Sequence, residues 1–393
     1  MTTIARSPAE PVGLLDPRRE WTPVIDQHAS WLAVNSIQGC PKSCDYCFLK
    51  QRGQTRVRPV QLHTPAETVR LLMDSDLYGA DRTVALFTWT DVMAVRASRD
   101  YLAELLAEFV AAGLPNAVVL ITKCRVPAGT IEAIRAVRAA GLRVIVYLSY
   151  SGMDADIEVG VRHEEIRENF PALHAAGIPV VHYWRPAFPA SATIEVMTRV
   201  LDTAARYAVC TMAAGLKVEP EALDRLAVHW PELATTPGVT DAECVYPEPY
   251  WEFIHRTTDR HPGHPVFHTN ACALAYTLGE ADRFGIYGGQ VCTQRNHCPK
   301  RQRMVCAAPA DIALPSPDVI SVVLERRGLA DVSFELVSDR RELRIEAAVP
   351  NRVVSALTQD LGVRVVVSGQ GSDAYWSSGT AGAQPLVIKV AGS

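Results

Sequence analysis

Short runs of β-branched and aliphatic residues alternate with stretches of helical periodicity between residues 31 and 218. The stretches between the runs carry apolar residues three and four positions apart, which is typical of helices with one buried face. This alternation predicts a parallel sheet with right-handed crossovers, either an open doubly wound sheet or a partial barrel. In both, chemistry is expected at the carboxyl ends of the strands. The predicted strands are 31–37, 83–88, 117–122, 142–149, 178–184 and 208–218.

The flanking regions follow other patterns. Residues 1–30 are rich in proline and charge without a clear period, which indicates an irregular arm. Residues 219–310 contain more aromatic residues, histidines and cysteines, and their periodicity fades. Pro315-Ser316-Pro317 is typical of a linker. The predicted regions are therefore an arm (1–30), an α/β domain (31–218), a Cys-rich extension (219–310) and a small α+β C-terminal domain (318–393).

Composition narrows the class of protein. The 393 residues are 48% hydrophobic, enough to bury a core without disulfides. A net charge of −4 provides no global basic field for nucleic acid. No long uncharged apolar run indicates a membrane span, and residues 1–20 lack the apolar core of a secretory signal. A cytoplasmic location is expected, so ten cysteines suggest metal or redox chemistry.

Three of these cysteines form a tight group directly after the first predicted strand. Cys40, Cys44 and Cys47 share one short loop, and the next cysteine along the chain is Cys124. Three thiolates can hold three irons of a [4Fe–4S] cluster and leave the fourth iron open to a small molecule. A closed zinc site takes four ligands instead. The spacing therefore favours an iron–sulfur cluster over zinc.

The pattern Cys-x-x-x-Cys-x-aromatic-Cys after the first strand of a βα-alternating domain resembles the signature of the radical SAM superfamily. The resemblance implies an α/β fold of the partial (β/α)6 barrel type. It also implies that S-adenosylmethionine (SAM) binds the open iron and is cleaved by one electron to methionine and a 5′-deoxyadenosyl radical. That radical abstracts hydrogen from a substrate. A reductant such as flavodoxin or ferredoxin is the implied partner.

The resemblance predicts SAM-binding residues at later strand ends. Thr88, Thr90 and Asp91 stand where superfamily members often carry a Gly-Gly-Glu-like segment that holds the SAM amino group. This departure keeps polar groups but loses the glycines, and ordinary strand-end capping is the alternative role. Ser149 ends the fourth predicted strand, where polar contacts to the SAM ribose are expected.

Other segments resemble the spore photoproduct lyase-like branch. Arg167 opens the helical pattern RENFPALHAAGI, where the branch's arginine would pair with the SAM carboxylate; a solvated arginine is the alternative. Arg185, after the fifth strand, is a further polar candidate. Residues 120–124 (LITKC) are close to the branch's third-strand TKS segment. Cys124 would donate hydrogen to a substrate radical there, as a cysteine does in photoproduct lyases, or would be a small buried hydrophobe.

A second cysteine group lies in the extension, at Cys272, Cys292, Cys298 and Cys306. Four ligands suit an auxiliary [4Fe–4S] cluster or a zinc ion. The spacing does not match the paired cysteines of a zinc ribbon, and within a radical SAM enzyme we favour a second iron–sulfur cluster. Such a cluster would bind substrate or carry an electron.

The resulting interpretation is a radical SAM enzyme that acts on a small molecule. The basic stretch Lys300, Arg301 and Arg303 would meet phosphate or balance the charge of the thiolates. Repair or modification of a nucleic-acid lesion is the alternative within this class. A non-enzymatic zinc-binding nucleic-acid module is the alternative of another class, which the βα scaffold disfavours.

Overall fold

The computed structural model describes residues 19–153, 155–242, 244–282, 298–308, 313–368 and 385–390, without the side chains of 258, 259 and 351. Its strands are β1 (Ile25–Gln27), β2 (Leu32–Val34), β3 (Ile37–Gln38), β4 (Ser43–Cys44), β5 (Val60–Gln61), β6 (Val84–Leu86), β7 (Val118–Thr122), β8 (Val144–Leu148), β9 (Glu158–Val159), β10 (Val180–Trp184), β11 (Cys210–Ala213), β12 (Val245–Pro247), β13 (Val266–Phe267), β14 (Phe334–Val337), β15 (Glu342–Ile345), β16 (Arg364–Val367) and β17 (Leu386–Ile388).

Its helices are α1 (Pro65–Met73), α2 (Arg96–Ala111), α3 (Ala128–Ala139), α4 (His163–Ala175), α5 (Ile194–Tyr207), α6 (Leu223–Ala227), α7 (Glu248–His255), α8 (Thr257–Arg260), α9 (Asn270–Leu278), α10 (Lys300–Ala307), α11 (Pro317–Arg326) and α12 (Asn351–Leu361). Thr64 caps α1 through a reciprocal bond pattern with Glu67, as its capping-box sequence requires. No helix among the described residues is long and apolar enough to cross a membrane.

A mostly parallel sheet of eight strands forms the centre of the molecule. Its order is β1-β2-β6-β7-β8-β10-β11-β13, and all neighbouring pairs are parallel except β1 with β2. Each of the six predicted strands contains one strand of this sheet, which confirms the predicted α/β architecture with parallel pairing. Residues 25–27, inside the predicted irregular arm, form the antiparallel edge strand β1. Three residues are too few to show a period.

Both faces of this sheet are buried, so its strands are almost uniformly apolar. Leu32, Val84 and Leu120 pack with α1 to α5 on one face. Their neighbours along the strands, including Ala33, Ala85 and Val119, pack on the other face with residues of α9. The period-two alternation of side chains assigns the two sets to opposite faces.

Two smaller cores complete the fold. The first gathers apolar residues between Leu216 and Val245 around Trp230, together with Phe188 and Ile388. It is closed by β17, which pairs in parallel with β12. The second core lies between the sheet β14-β15-β16 and the helices α11 and α12. The strand β17 lies within the region predicted as the C-terminal domain but joins the first of these cores.

A chain of hydrogen bonds between buried histidines crosses the central sheet. His182 Nε2 lies 2.8 Å from the Tyr150 carbonyl oxygen, which only accepts, so this nitrogen carries the hydrogen. His182 Nδ1 therefore accepts from the Thr211 hydroxyl at 3.0 Å, and that hydroxyl accepts from His264 Nε2 at 2.8 Å. Burial lowers the pKa of His182 to about 3 and that of His264 to about 4. Both imidazoles are neutral at pH 7.

The lowered pKa values of these histidines predict that the free energy of unfolding falls as the pH is lowered below about 6.5. A histidine with a lowered pKa in the folded state stabilises the fold fully above its unfolded pKa of about 6.5, and the contribution is lost as pH falls toward the folded value. In the His264→Gln variant, the free energy of unfolding should fall less steeply between pH 6.5 and about 4, by up to about 1.4 kcal/mol per pH unit. Urea titrations at several pH values measure this slope. His63→Gln is the control, and parallel curves for His264→Gln and the wild type would contradict the prediction.

Candidate active site

The three-cysteine loop is fixed by backbone hydrogen bonds on both sides. Cys40 accepts from Val57 N–H at 3.2 Å and donates to the Gln54 carbonyl at 2.8 Å. Farther along the loop, β4 pairs antiparallel with β9, which sets Cys44 opposite Glu158. The loop therefore has a defined path between two other segments of chain.

Cys40 and Cys44 are buried, Cys47 is half-buried, and the three thiols influence one another electrostatically. Burial, with a further contribution from the Asp91 carboxylate, raises the pKa of Cys40 to about 12. Burial also raises the pKa of Cys44 to about 12 and raises that of Cys47, while the Lys123 ammonium opposes both shifts. The charge of Cys47 contributes to the pKa of both other thiols, so the three sulfurs lie near one another.

This donor set suits a metal cluster better than free thiols. Thiols of raised pKa stay protonated unless a cation replaces the proton, and a coordinating metal does so. Within the described ranges, no three His, Cys, Asp or Glu side chains are gathered closely enough for a single metal ion. A [4Fe–4S] cluster takes one thiolate per iron, so its ligands surround it rather than meeting at one point. Three thiols on a short loop fit such a cluster.

A buried carboxylate lies directly beside the loop. Glu158 is fully buried and accepts from Lys123 Nζ at 2.7 Å, from Ser151 Oγ at 2.7 Å and from the Tyr46 hydroxyl. His163 Nε2 lies 2.9 Å from Glu158 Oε2, the oxygen that also accepts from Ser151. Burial raises the pKa of Glu158, but Lys123 and His163 outweigh it and hold the pKa well below its usual range. The negative charge of Glu158 thus anchors Lys123 next to the cysteines.

Thr88, Thr90 and Asp91, predicted at the end of the second strand, lie close to the cysteine loop. Thr90 Oγ1 donates to the Gly39 carbonyl, next to Cys40. The Asp91 carboxylate accepts from Thr122 Oγ1 at 2.7 Å and from Lys123 N–H at 2.8 Å. Thr88 donates to Asn35 Oδ1 at 2.9 Å. These bonds join the carboxyl ends of β2, β6 and β7.

Ser149 and Cys124 lie at the next two strand ends. Ser149 Oγ accepts from Lys123 Nζ at 2.6 Å, which connects β8 to the Glu158 network. Cys124 is half-buried, and burial and the Asp91 carboxylate raise its thiol pKa well above the usual range. Lys42 acts in the opposite direction on Cys124 and donates to the Gly160 carbonyl at 2.6 Å. The thiol of Cys124 is therefore protonated and close to the cysteine loop.

The two predicted arginines differ in position. Arg185 follows β10, donates to the Tyr183 hydroxyl at 3.0 Å and covers its ring. Arg167 pairs with Glu164 on α4, and 49% of its side chain is exposed. The apolar stripe of α4, which includes Ile166 and Phe170, is buried, so Arg167 falls on the outward side. Its contact with the SAM carboxylate stays a prediction.

A cover over the cysteine loop comes from residues 219–242. Arg225 Nε donates to the Asp45 carbonyl at 2.8 Å, and His229 Nε2 lies 2.8 Å from the Asp45 carboxylate. Lys50 pairs with the same carboxylate. Burial raises the pKa of Asp45, but Lys50 and His229 outweigh it and the pKa is lowered. Asp45, between two of the cysteines, thus joins the loop to its cover.

Part of the second cysteine group also comes together. Cys272 Sγ lies 3.3 Å from the carboxylate of Asp282, whose backbone N–H lies 3.3 Å from Cys306 Sγ. Cys298 and Cys272 both pack against the sheet face covered by α9. Cys292 lies outside the described residues. A metal at this group stays a prediction.

Sequence reasoning missed several charged residues of these sites, among them Lys42, Lys123, Glu158 and Asp282. Lys123 belongs to the quoted LITKC segment, so its strand-end position was a usable signal. Glu158, on the two-residue strand β9, and Asp282, in an irregular segment, stand where acidic residues are usually solvated, and only the folded chain shows their burial, at 0% and 8% exposure.

Comparisons with known proteins find similar solved structures. No family model matches the chain, and no curated protein matches it by sequence. A structure of SuiB from Streptococcus suis bound to S-adenosylmethionine is similar over 66% of this chain and 57% of its own, less than two thirds of its length, with 12% identity and a TM-score of 0.44. Spore photoproduct lyase complexed with dinucleoside spore photoproduct is similar over 60% of this chain and 75% of its own, with 12% identity and a TM-score of 0.44. A cysteine-to-serine mutant of the same lyase is similar over 67% of this chain and 87% of its own, with 11% identity and a TM-score of 0.46.

Proposed function

We propose that the protein is a radical SAM enzyme that cleaves S-adenosylmethionine reductively and abstracts hydrogen from a substrate. One observation carries the proposal. Three thiols on the signature loop, two of them buried and one half-buried, lie beside Asp91, Lys123 and Ser149, at the carboxyl ends of parallel strands where α/β folds bind ligands. A [4Fe–4S] cluster held by Cys40, Cys44 and Cys47 would supply the electron that converts SAM to methionine and a 5′-deoxyadenosyl radical.

The residues around the loop have complementary roles in this proposal. Lys123 offers a cation to the SAM carboxylate, with Glu158 and Ser149 holding its ammonium group in place. Thr88, Thr90 and Asp91 form the polar wall on the amino-group side, and Asp91 keeps Lys123 in register through its backbone. Arg185 and Arg167 are further candidates for polar contacts to SAM.

Cys124 is proposed as a hydrogen donor to the substrate radical. Its raised pKa keeps the thiol protonated at pH 7, and only the protonated form carries a transferable hydrogen atom. Asp91 and Lys42 influence this thiol directly, so Cys124 lies within the same group of side chains.

A small molecule is the proposed substrate, with a second iron–sulfur cluster assisting at Cys272, Cys292, Cys298 and Cys306. Asp282, whose carboxylate and backbone reach Cys272 and Cys306, would orient these ligands. A nucleic-acid lesion is the alternative substrate, which the exposed cations Arg301 and Arg303 on α10 favour. The proposed location is the cytoplasm.

The direct test is SAM cleavage by the wild-type protein. After anaerobic reconstitution with iron and sulfide, dithionite and SAM should give 5′-deoxyadenosine and methionine in equal amounts, measured by liquid chromatography and mass spectrometry. Omitting dithionite is the control. A colourless protein that holds zinc in air and leaves SAM intact would instead indicate the metal-binding module.

A further inference from the structure

A strip of positive charge runs beside the cysteine loop. Residues 48–58 contain no acidic residue, although the whole chain has a net charge of −4. Val57 N–H donates to the Cys40 carbonyl at 3.2 Å, and Arg56 N–H donates to the Lys42 carbonyl at 3.1 Å. The strip is therefore hydrogen-bonded to the loop that carries the first cysteine. Its cations are Lys50, Arg52, Arg56 and Arg58.

Two of these four cations are neutralised within the protein. Lys50 pairs with Asp45, and Arg52 pairs with Glu219 at 3.3 Å. Arg56 and Arg58 are exposed and form no ion pair with any residue that the structure describes. Their charge is therefore directed to solvent or to a partner.

An aromatic ring extends the same surface. Phe48 directly follows Cys47 and is 38% exposed. Its ring meets the Trp89 ring edge-on at 5.6 Å, and the Arg52 guanidinium lies 5.4 Å from its centre. A ring held in this way loses little freedom on binding, and aromatic residues with arginine dominate the energetics of protein interfaces. We define the loop surface as Phe48, Arg56 and Arg58.

We propose that the loop surface docks an acidic one-electron redox protein of the flavodoxin or ferredoxin class. The inference rests on the proposed function, because it assigns the entry point of the electron. The partner is oxidised by one electron, and that electron is consumed when the sulfur–carbon bond to the 5′ carbon of SAM breaks, giving methionine and the carbon radical. No proton is transferred in this step.

Charge complementarity favours a protein over a nucleic acid at this surface. An acidic partner is steered toward unpaired arginines, and its association rate falls as salt screens them. Two free guanidinium groups would neutralise about two phosphates, too few for a strong non-specific grip on a strand. The position beside Cys40 also brings a bound redox protein close to the thiols.

The test compares two reductants in one pair of variants. Arg56→Asn with Arg58→Gln removes both free charges; asparagine is used because Arg56 has a φ of 56°, which asparagine tolerates. Arg326→Gln with Arg352→Gln, on exposed positions of α11 and α12, is the control with the same change in net charge. Formation of 5′-deoxyadenosine is followed with dithionite, and with a bacterial flavodoxin kept reduced by its NADPH-dependent reductase.

With flavodoxin at low salt, we expect kcat/KM of the loop-surface variant to fall about tenfold, and the difference to disappear near 1 M salt. The dithionite rate should equal that of the wild type, and the control variant should be unaffected in both assays. An unchanged flavodoxin rate beside normal dithionite activity would overturn the docking proposal alone. Loss of binding to a labelled DNA oligonucleotide with normal flavodoxin turnover would also overturn it. Absence of SAM cleavage with dithionite in the wild type would refute the proposed function instead.

Discussion

Replacing Cys40, Cys44 and Cys47 together by alanine is expected to remove about four irons per chain and to abolish 5′-deoxyadenosine formation. Each thiolate would hold one iron, and no other cysteine lies between Cys47 and Cys124 to replace them. The measurement is anaerobic iron and sulfide per chain, with SAM cleavage assayed on the same samples. Circular dichroism checks that the variant is folded.

The same measurement separates one cluster from two. Near eight irons in the wild type and near four in the triple variant would indicate a second cluster, and Cys272→Ala with Cys306→Ala should then lower iron while SAM cleavage survives. About four irons in the wild type and none in the triple variant would mean that the second cysteine group binds zinc or no metal. Properly reconstituted wild type without iron would refute the radical SAM interpretation altogether.

The pH dependence of loading provides an independent check. Burial raises the pKa of Cys40 and Cys44 to about 12, so iron must displace protons from both thiols. Loading of the apoprotein should therefore improve as pH rises within the range where the chain stays folded. Solvent-exposed thiols would lose this dependence above their ordinary pKa of about 8.5.

The sequence revealed the sheet because its strands are buried on both faces. Runs such as Val118–Thr122 and Val144–Leu148 are continuous apolar segments. Their order within the sheet follows their order along the chain, because short crossovers place successive parallel strands side by side. The cysteine loop was found for a related reason, since its ligands are close together in the sequence. Local patterns are sufficient where the interacting residues are neighbours in the chain.

Contacts between residues far apart in the sequence could not be predicted in this way. The strand β17 pairs with β12 across more than a hundred residues, and a three-residue strand carries no periodic signal of its own. Glu158 belongs to the two-residue strand β9, and its burial depends on Lys123, which directly follows β7. Such contacts depend on the folded chain, so spacing in the sequence cannot predict them.

Replacing Asp360 by alanine is expected to weaken the packing of the C-terminal unit against the central domain by about 3–5 kcal/mol. Asp360, on α12, pairs with Arg82 of the central domain and with Arg327, which lies 2.7 Å away. The exposed fractions are 6% for the Arg82 side chain, 4% for Arg327 and 12% for Asp360. Its removal leaves two buried guanidinium groups without their shared carboxylate. Urea titration followed by circular dichroism, with limited proteolysis, measures the loss.

A graded series of variants tests whether these charges act as one network. Replacing Arg327 by methionine should cost less than Asp360→Ala, because Asp360 keeps its pair with Arg82. Asp76→Ala should cost about 0–1 kcal/mol, because Asp76 is 65% exposed where it meets Arg327 at 2.8 Å. The exposed Asp331→Ala in the same unit is the neutral control. Equal losses for all three network variants would mean that burial of the shared carboxylate does not determine docking. The ordered series would instead identify Asp360 as the residue that fixes the C-terminal unit to the sheet.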